Sequence, residues 1–388
     1  MARVNICGFE TGDDSECSAV TTSGTGAITF QTATARTGYA LRCNCPAGSD
    51  IAAVELRGVA ADGIAALSNA VTSYTRFYFL FVTVPASASE EILSVYDTAS
   101  AAKFQLRIDS NKNLSAWNGA TQLGSTGTTV LNASQWYCIE VRVGSGVTAL
   151  WEIRINGASE ITATSTLGSS LNTGKWRFGK DANRNSNAVD FYYDDITIDD
   201  AAYPGPGSIV RLDPAADVAK TNWLNQAASS TNLFQSVDDL ASQAGHDTDS
   251  TYIVTSTSGV VTYTASFPAL STRQIIGTIN EIKFIAFGRD TGTTLTWRIS
   301  VRPASNAATT TALDGSNTYA MRAILYKTSG GTDALTIANV NTCQASFVHV
   351  QANARELRCT AMSLMLDLPG AGGQSLNIRQ AMNRAASW

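Results

Sequence analysis

Ten residues, FYYDDITIDD at 191–200, carry four carboxylates and stand just before a proline-glycine break. Carboxylates so crowded fit three chemistries: an acid/base couple, a calcium site, or the polar ends of a strand. Glycoside hydrolysis needs two carboxyls flanking the scissile bond, roughly 5–9.5 Å apart. On an extended strand Asp194 and Asp195 point to opposite faces, so they cannot flank one substrate. Asp190 and Asp194 share a face but lie roughly 13 Å apart at the usual rise, and the same holds for Asp195 and Asp199. The geometry of a strand therefore predicts a structural role for these acids. Tyr192, Ile196 and Ile198 are expected to pack inward, with Asp194 between them.

Calcium needs six or more oxygen ligands. Glu10, Asp13 and Asp14 in FETGDD, joined by Asp194 or Asp195, are the candidate set, although solvated loop acids explain them better. The segment from His246 to Asp249 lacks the glycine and closing glutamate of an EF-hand loop. With 2 histidines in the chain, His246 and His349, there is little material for a zinc site or a Ser-His-Asp triad. Gly-rich pieces such as GSTGTT lack the lysine of a phosphate-binding loop. Sugar recognition is a further possibility, because it stacks an aromatic on a ring and surrounds it with polar donors. Trp117 and Asn118 at a hairpin end, with Asn183 and Asn185 in an Asn-rich loop, form that candidate set; Trp117 fits a core position as well.

The elements that hold these groups read as strands. Charged residues make up 15% of 388, and Thr, Val, Ile and aromatic runs sit between small polar turns, an all-β composition. In KFQLRID, Phe104, Leu106 and Ile108 alternate with Lys103, Gln105 and Arg107. In WEIRI, Trp151, Ile153 and Ile155 alternate with Glu152 and Arg154, and Asn156-Gly157 then signals a type I′ hairpin returning through SEITATS. YTRFYFLFVTV is apolar on both faces, which predicts a central strand. WYCIEVRV puts Tyr137, Ile139, Val141 and Val143 inward. A dozen such strands require a two-sheet sandwich or barrel, with no helix before residue 200.

YPGPG at 203–207 breaks the ladder, as linkers do. The strand rhythm then resumes in GVVTYTA, EIKFIAFG, LTWRISV, AMRAILYK, ASFVHV and ELRCTAMSLMLDL. The predicted organisation is a sandwich over 1–202, a linker over 203–208, a second β-sandwich over 209–368 and a tail over 369–388. One short helical turn is expected in the irregular stretch that opens the second sandwich. In the tail, Ile378, Ala381, Met382 and Ala385 stand at helical spacing. Folding back on its own domain is the favoured role for this segment, and docking on a neighbouring subunit the alternative, with Ile378, Arg379, Met382, Arg384 and Trp388 as the candidate contact.

A net charge of -5 gives no footprint for nucleic acid or an anionic membrane. No apolar window is long enough to span a bilayer, and the N-terminus lacks the pattern of a secretory signal. The 7 cysteines are scattered. They read as buried reduced thiols, Cys7 with Cys17 being the one pair spaced for a bond.

From GFETGD through FYFLFVTV, ILSVYD, KFQLRID, NLSAWNG, QWYCIEVRV and WEIRINGASEI to FYYDDITID, the first half resembles the concanavalin A-like, laminin-G-type jelly roll. The second half, from ADVAKTNW to LTWRISVRP, resembles the β-rich domain that follows such a jelly roll in tailed-phage virion proteins. The resemblance implies a virion structural protein on head or tail, made in the host cytoplasm and placed among other virion proteins. It also implies self-association, a trimer if the chain forms a spike, and possible contact with a host surface glycan. Hydrolases of this fold set two acids at alternate positions of one strand, a pattern lacking on the strands here. The expectation is therefore a protein without enzymatic activity, with a glycan-binding adhesin as the alternative and a depolymerase behind it. No cofactor is expected beyond the possible calcium. In the resembling family an aspartate at the place of Asp194 holds a neighbouring loop through backbone N–H groups.

Overall fold

The computed structural model describes residues 3–59, 65–66, 68, 70–146, 148–165, 167, 172–182, 186–238, 251–270, 279–290, 297–303, 308–309, 319–326, 335–351 and 356–370. The main division of the chain into two compact units falls between Ser208 and Ile209. Both are built from antiparallel sheets, so the protein is all-β, with the β-sandwich architecture that its composition predicts.

In chain order the strands of the first unit are β1 (Arg3–Cys7), β2 (Ala19–Ser23), β3 (Ala27–Gln31), β4 (Ala40–Cys45), β5 (Ile51–Val59), β6 (Ala65–Ala66), β7 (Thr72–Thr83) and β8 (Ser89–Asp97). They continue with β9 (Ala102–Asp109), β10 (Leu114–Asn118), β11 (Thr121–Leu123), β12 (Tyr137–Gly144), β13 (Ala149–Ile155), β14 (Ala158–Ser165), β15 (Thr173–Lys180) and β16 (Val189–Asp199). One sheet runs β14-β13-β12-β7-β16-β4-β3, with β1 on β16; the other runs β11-β10-β9-β8-β15-β5-β2, with β6 on β5.

Period-two alternation builds the core between them. Phe104, Leu106 and Ile108 of β9, Trp151, Ile153 and Ile155 of β13, and Tyr137, Ile139, Val141 and Val143 of β12 all enter one buried cluster. β7 is central, flanked by β12 and β16. Its Phe77, Phe79 and Phe81 face the core, while Tyr78 and Leu80 are buried on its other side. Phe79 meets the rings of Phe191 at 5.4 Å and Tyr193 at 5.5 Å. The β13–β14 turn has Asn156 at φ 51° and Gly157 at φ 84°, as a type I′ turn requires.

β16 departs from plain alternation. Phe191 and Tyr193 face the core, then Ile196 and Ile198 do, so the inward parity changes within the strand. Asp194 pairs with Tyr78 and Thr197 with Arg76, three steps on β16 against two on β7. This is a β-bulge, and Asp195 occupies it in the left-handed region at φ 50°. The expectation that Tyr192 packs inward is thereby corrected: an extra residue, invisible to a period of two, reassigns the faces.

The second unit contains β17 (Gly207–Leu212, crossing the division), β18 (Ala216–Ala219), β19 (Leu224–Asn225), β20 (Ile253–Thr255), β21 (Gly259–Ser266) and β22 (Glu281–Asp290). Next come β23 (Trp297–Arg302), β24 (Ala308–Thr309), β25 (Ala320–Tyr326), a short helix α1 (Ile337–Asn341), β26 (Gln344–Gln351) and β27 (Leu357–Pro369). One sheet is β19-β20-β27-β22-β25 with β17 on β27, and the other is β18-β21-β26-β23-β24. Trp297, Ile299 and Val301 face the core, as the alternation predicts, and Trp297 packs on Phe347 at 4.8 Å. The expected helical turn is the 3-10 turn at Leu233–Ser236. His246 to Asp249 and the tail beyond residue 370, with Ile378, Arg379, Met382, Arg384 and Trp388, lie outside the described residues. All seven cysteines are free thiols, Cys17 partly exposed and the others buried; Cys7 and Cys17 are not bonded. Among the described residues, no helix is long and apolar enough to cross a membrane.

Candidate functional site

Each carboxylate of β16 has a structural partner. Asp190 grips Arg42 through two bonds of 2.8 Å. Asp194 accepts the backbone N–H of Arg36 at 2.8 Å and that of Thr37 at 3.4 Å, and its other oxygen accepts the N–H of Asp195. Asp195 takes the guanidinium of Arg36 in an ion pair. Asp199 accepts the N–H groups of Ala201 and Ala202. The bulge therefore overturns the opposite-face geometry: two consecutive aspartates hold one loop. Arg36 also lies over the Tyr78 ring, 3.2 Å from its centroid. Burial pushes the Asp194 carboxyl well above its usual range, with Asp195 and Glu10 adding to the rise.

The calcium candidates divide between two places. Glu10 bears electrostatically on Asp194, and a Cβ at Gly38 would overlap its carboxylate. Asp13 instead caps a 3-10 turn at Asp14–Glu16 through Ser15, and Asp14 is exposed on that turn. Arg36 supplies the positive charge within the Asp194–Asp195 group. Among the described residues, no group of three or more His, Cys, Asp or Glu side chains is placed to hold a metal ion.

A second constellation lies on the outer face of the other sheet. Because Leu106, Leu93, Trp176 and Val54 point into the core, their strand neighbours point away from it. Cross-strand register joins these outward residues into one row. Trp117 on β10 is opposite Gln105 on β9, and Gln105 is opposite Ser94 on β8. Ser94 is in turn opposite Arg177 on β15, and Arg177 is opposite Glu55 on β5. At about 4.8 Å per strand the row runs for roughly 19 Å.

Polar side chains fill this face. Glu55 takes Arg57 at 2.7 Å, Arg177 at 2.9 Å and Lys175 at 3.2 Å. Burial raises the Glu55 carboxyl, but the bonds from these three cations outweigh it and hold the group below its ordinary range. Tyr96 donates its hydroxyl to Asp181, and Lys175 and Arg177 approach its ring at 5.2 and 4.9 Å. Burial and the Asp181 charge push the Tyr96 phenol up, so it keeps its proton at neutral pH. Ser94 is fully buried, and its Oγ has no hydrogen-bond partner in the structure.

At the Trp117 end the face opens into a depression of about 680 Å³, lined by Ser89, Arg107, Asp109, Trp117 and Gln122 among others. Trp117 is half-buried there, outside the core. Arg107 lies 4.4 Å from the centre of its ring system, and the indole N–H donates to Ser115. Asn118 is the next residue of the same hairpin. Asn183 and Asn185 lie outside the described residues. Sequence reasoning missed Tyr96, Lys175, Arg177 and Glu55, which come from three strands distant in the chain. The outward positions of KFQLRID, with Gln105 and Arg107, were the available signal.

No protein-family model matches the chain, and no curated protein matches it significantly. Among solved structures it is similar to the cellulose-induced protein Cip1, with 16% identity over 52% of this chain and 100% of that chain, at a TM-score of 0.39. It is also similar to an endo-β-1,4-glucuronan lyase from the fungus Trichoderma reesei (13% identity, 50% and 94% coverage, TM-score 0.39). A PL-14 alginate lyase from Aplysia kurodai matches as well (11% identity, 52% and 100% coverage, TM-score 0.38). The likeness is one of β-sandwich fold.

The expectation of a protein without enzymatic activity is corrected here, because solved structures similar to this chain include polysaccharide lyases. That expectation came from testing acid pairs suited to hydrolysis. An eliminating enzyme needs no such pair; it needs groups that stabilise a developing anion and move protons.

Proposed function

We propose that the outer face of the β11-β10-β9-β8-β15-β5-β2 sheet binds a polysaccharide. The observation that carries this is the in-register row Trp117–Gln105–Ser94–Arg177–Glu55. Its two ends are partly exposed, the Trp117 indole and the Arg177 guanidinium, groups that stack on and hydrogen-bond to sugar rings, while the buried Gln105 and Ser94 link them. The depression beside Trp117 gives the line an open end. Calorimetric titration with a panel of oligosaccharides tests the proposal. Binding is expected, and Trp117→Ala should weaken it by about tenfold or more, or 1.4 kcal/mol. Absence of binding across acidic and neutral panels would refute it.

A second reading, elimination on a polyuronate, is favoured by Tyr96. Its phenol keeps its proton and stands beside Lys175 and Arg177, so it could give that proton to the leaving C4 oxygen and regain one from C5 of the uronate as the C4–O bond breaks and the C4–C5 double bond forms, while the cations stabilise the charge developing on the carboxylate. Incubation with polyuronates should then yield unsaturated chain ends that absorb in the ultraviolet, and Tyr96→Phe should abolish them.

The setting implied by the resemblance, the surface of a tailed-phage particle among other virion proteins, supports a face that meets host polysaccharide. Mass spectrometry of purified particles checks that setting. Particles lacking the chain would refute the setting and leave the binding face untouched.

A further inference from the structure

We infer that this face selects a polysaccharide in which neutral and anionic sugars alternate, with a neutral ring on Trp117 and an anionic ring at the Arg57–Lys175–Arg177 end. This rests on the polysaccharide reading of the same face. Its ground is how charge is distributed along the row.

At the Trp117 end the positive charge is committed. The Arg107 guanidinium donates to Gln105 at 2.8 Å and to the Gly119 carbonyl, and it stands 4.0 Å from Glu91. Its side chain is 4% exposed. Asp109 lines the same depression, so one buried cation faces two carboxylates. An anionic sugar would meet Asp109 there with no cation left over, whereas a neutral ring needs only the indole face and hydrogen bonds. Along β9 the next cation, Lys103, is balanced by Asp97 at 3.0 Å.

The other end is the reverse. Arg57, Lys175 and Arg177 share the one carboxylate of Glu55. Three positive charges against one leave a surplus of two, and Asp181, which acts on Arg177, reduces it to one. The two arginines also stand outward: the side chains of Arg57 and Arg177 are 35% and 25% exposed, against 8% for Lys175 and 3% for Glu55. Guanidinium groups presented in this way suit a carboxylate. From Trp117 to Arg177 the row crosses three strand spacings, roughly 14 Å, so separate rings of one chain occupy the two ends.

Titration of the intact protein with three probes of equal length tests the inference: a cello-oligosaccharide (neutral), an oligogalacturonate (wholly anionic) and a hyaluronan oligosaccharide (alternating). The alternating probe should bind at least tenfold more tightly than either other, with an affinity that falls as salt rises. In Arg57→Gln/Arg177→Gln the preference for the alternating over the neutral probe should shrink by about tenfold. Glu55→Gln, which enlarges the positive surplus, should increase it several-fold, and this gives a readout should the double variant fold poorly. Tightest binding of the wholly anionic or of the neutral probe, or an unchanged preference in the charge variants, would overturn the inference and leave the polysaccharide reading intact. Failure of all three probes on folded protein would remove that reading itself.

Discussion

Asp194 and Asp195 are consecutive residues of one strand, yet their carboxylates close on the same two residues, Arg36 and Thr37. The left-handed backbone at Asp195 makes this possible, and the loop is fastened by backbone and side chain together. The ion pair is nearly dry, with Arg36 at 13% and Asp195 at 0% side-chain exposure. Arg36→Met should leave a buried, uncompensated carboxylate and cost about 3–5 kcal/mol. Urea denaturation of the variant checks this; a loss below about 1 kcal/mol would contradict it.

The Pro/Gly stretch expected to act as a plain linker is bound along the first sandwich. Tyr203 donates to Glu152 at 2.8 Å, packs edge-on against Tyr74 at 5.0 Å and lies under Arg154 at 3.7 Å. Gly205 donates its N–H to Glu140 at 2.8 Å, and its carbonyl accepts from Arg76. Tyr203→Phe should cost about 0.5–1.5 kcal/mol and raise the hydrogen-exchange rate of the Gly205 amide. Unchanged exchange would show that the contacts do not hold the segment.

Glu140 gives the same segment a pH dependence. Burial raises its carboxyl above the ordinary 4.5, more than the Gly205 N–H, Arg76 and Arg154 lower it, and Glu152 adds to the rise. A carboxyl whose folded value is raised favours the fold fully below its unfolded value, and that contribution is lost as pH rises through the folded value. Melting temperatures of wild type and Glu140→Gln should therefore diverge as pH rises from about 4.5, the variant losing less.

His349 acts with the opposite sign. It is fully buried, and desolvation lowers its value below 6.5, partly offset by Asp290. Its contribution to folding is present above the unfolded value and is lost as pH falls below about 6.5 toward the folded value. A melting series should show the second unit losing stability across that window. In His349→Leu the slope should flatten.

The β13–β14 turn offers a backbone test. Gly157 sits at φ 84°, and a Cβ added there would meet nothing within 4 Å, so any cost is conformational. Gly157→Ala should destabilise the protein by about 1–2 kcal/mol without disturbing packing.

The strands were legible wherever local alternation decides burial, as at Phe104, Leu106 and Ile108 or Trp151, Ile153 and Ile155. The hairpin at Asn156-Gly157 was legible because its dipeptide demands one turn type. β16 was misread at Tyr192, because a single extra residue shifts every later side chain to the other face, and nothing in YYDDI marks Asp195 as the one at positive φ. The candidate site was legible at one end. Trp117 was named from its own hairpin, but Ser94, Arg177 and Glu55 join it only through the pairing of β5, β8, β9 and β15, which is set by tertiary register. A search for paired acids along one strand could not find a row that runs across the strands.

The most direct test of the binding face is a crystal structure of the first unit's sandwich in the intact chain, soaked with the oligosaccharide that titration finds tightest. Sugar rings should lie across the strands, one against the indole of Trp117 and another within hydrogen-bond reach of Arg177. Sugar on the opposite sheet, against Tyr192 and Arg42, or a Trp117 ring left uncovered at saturating ligand, would contradict it.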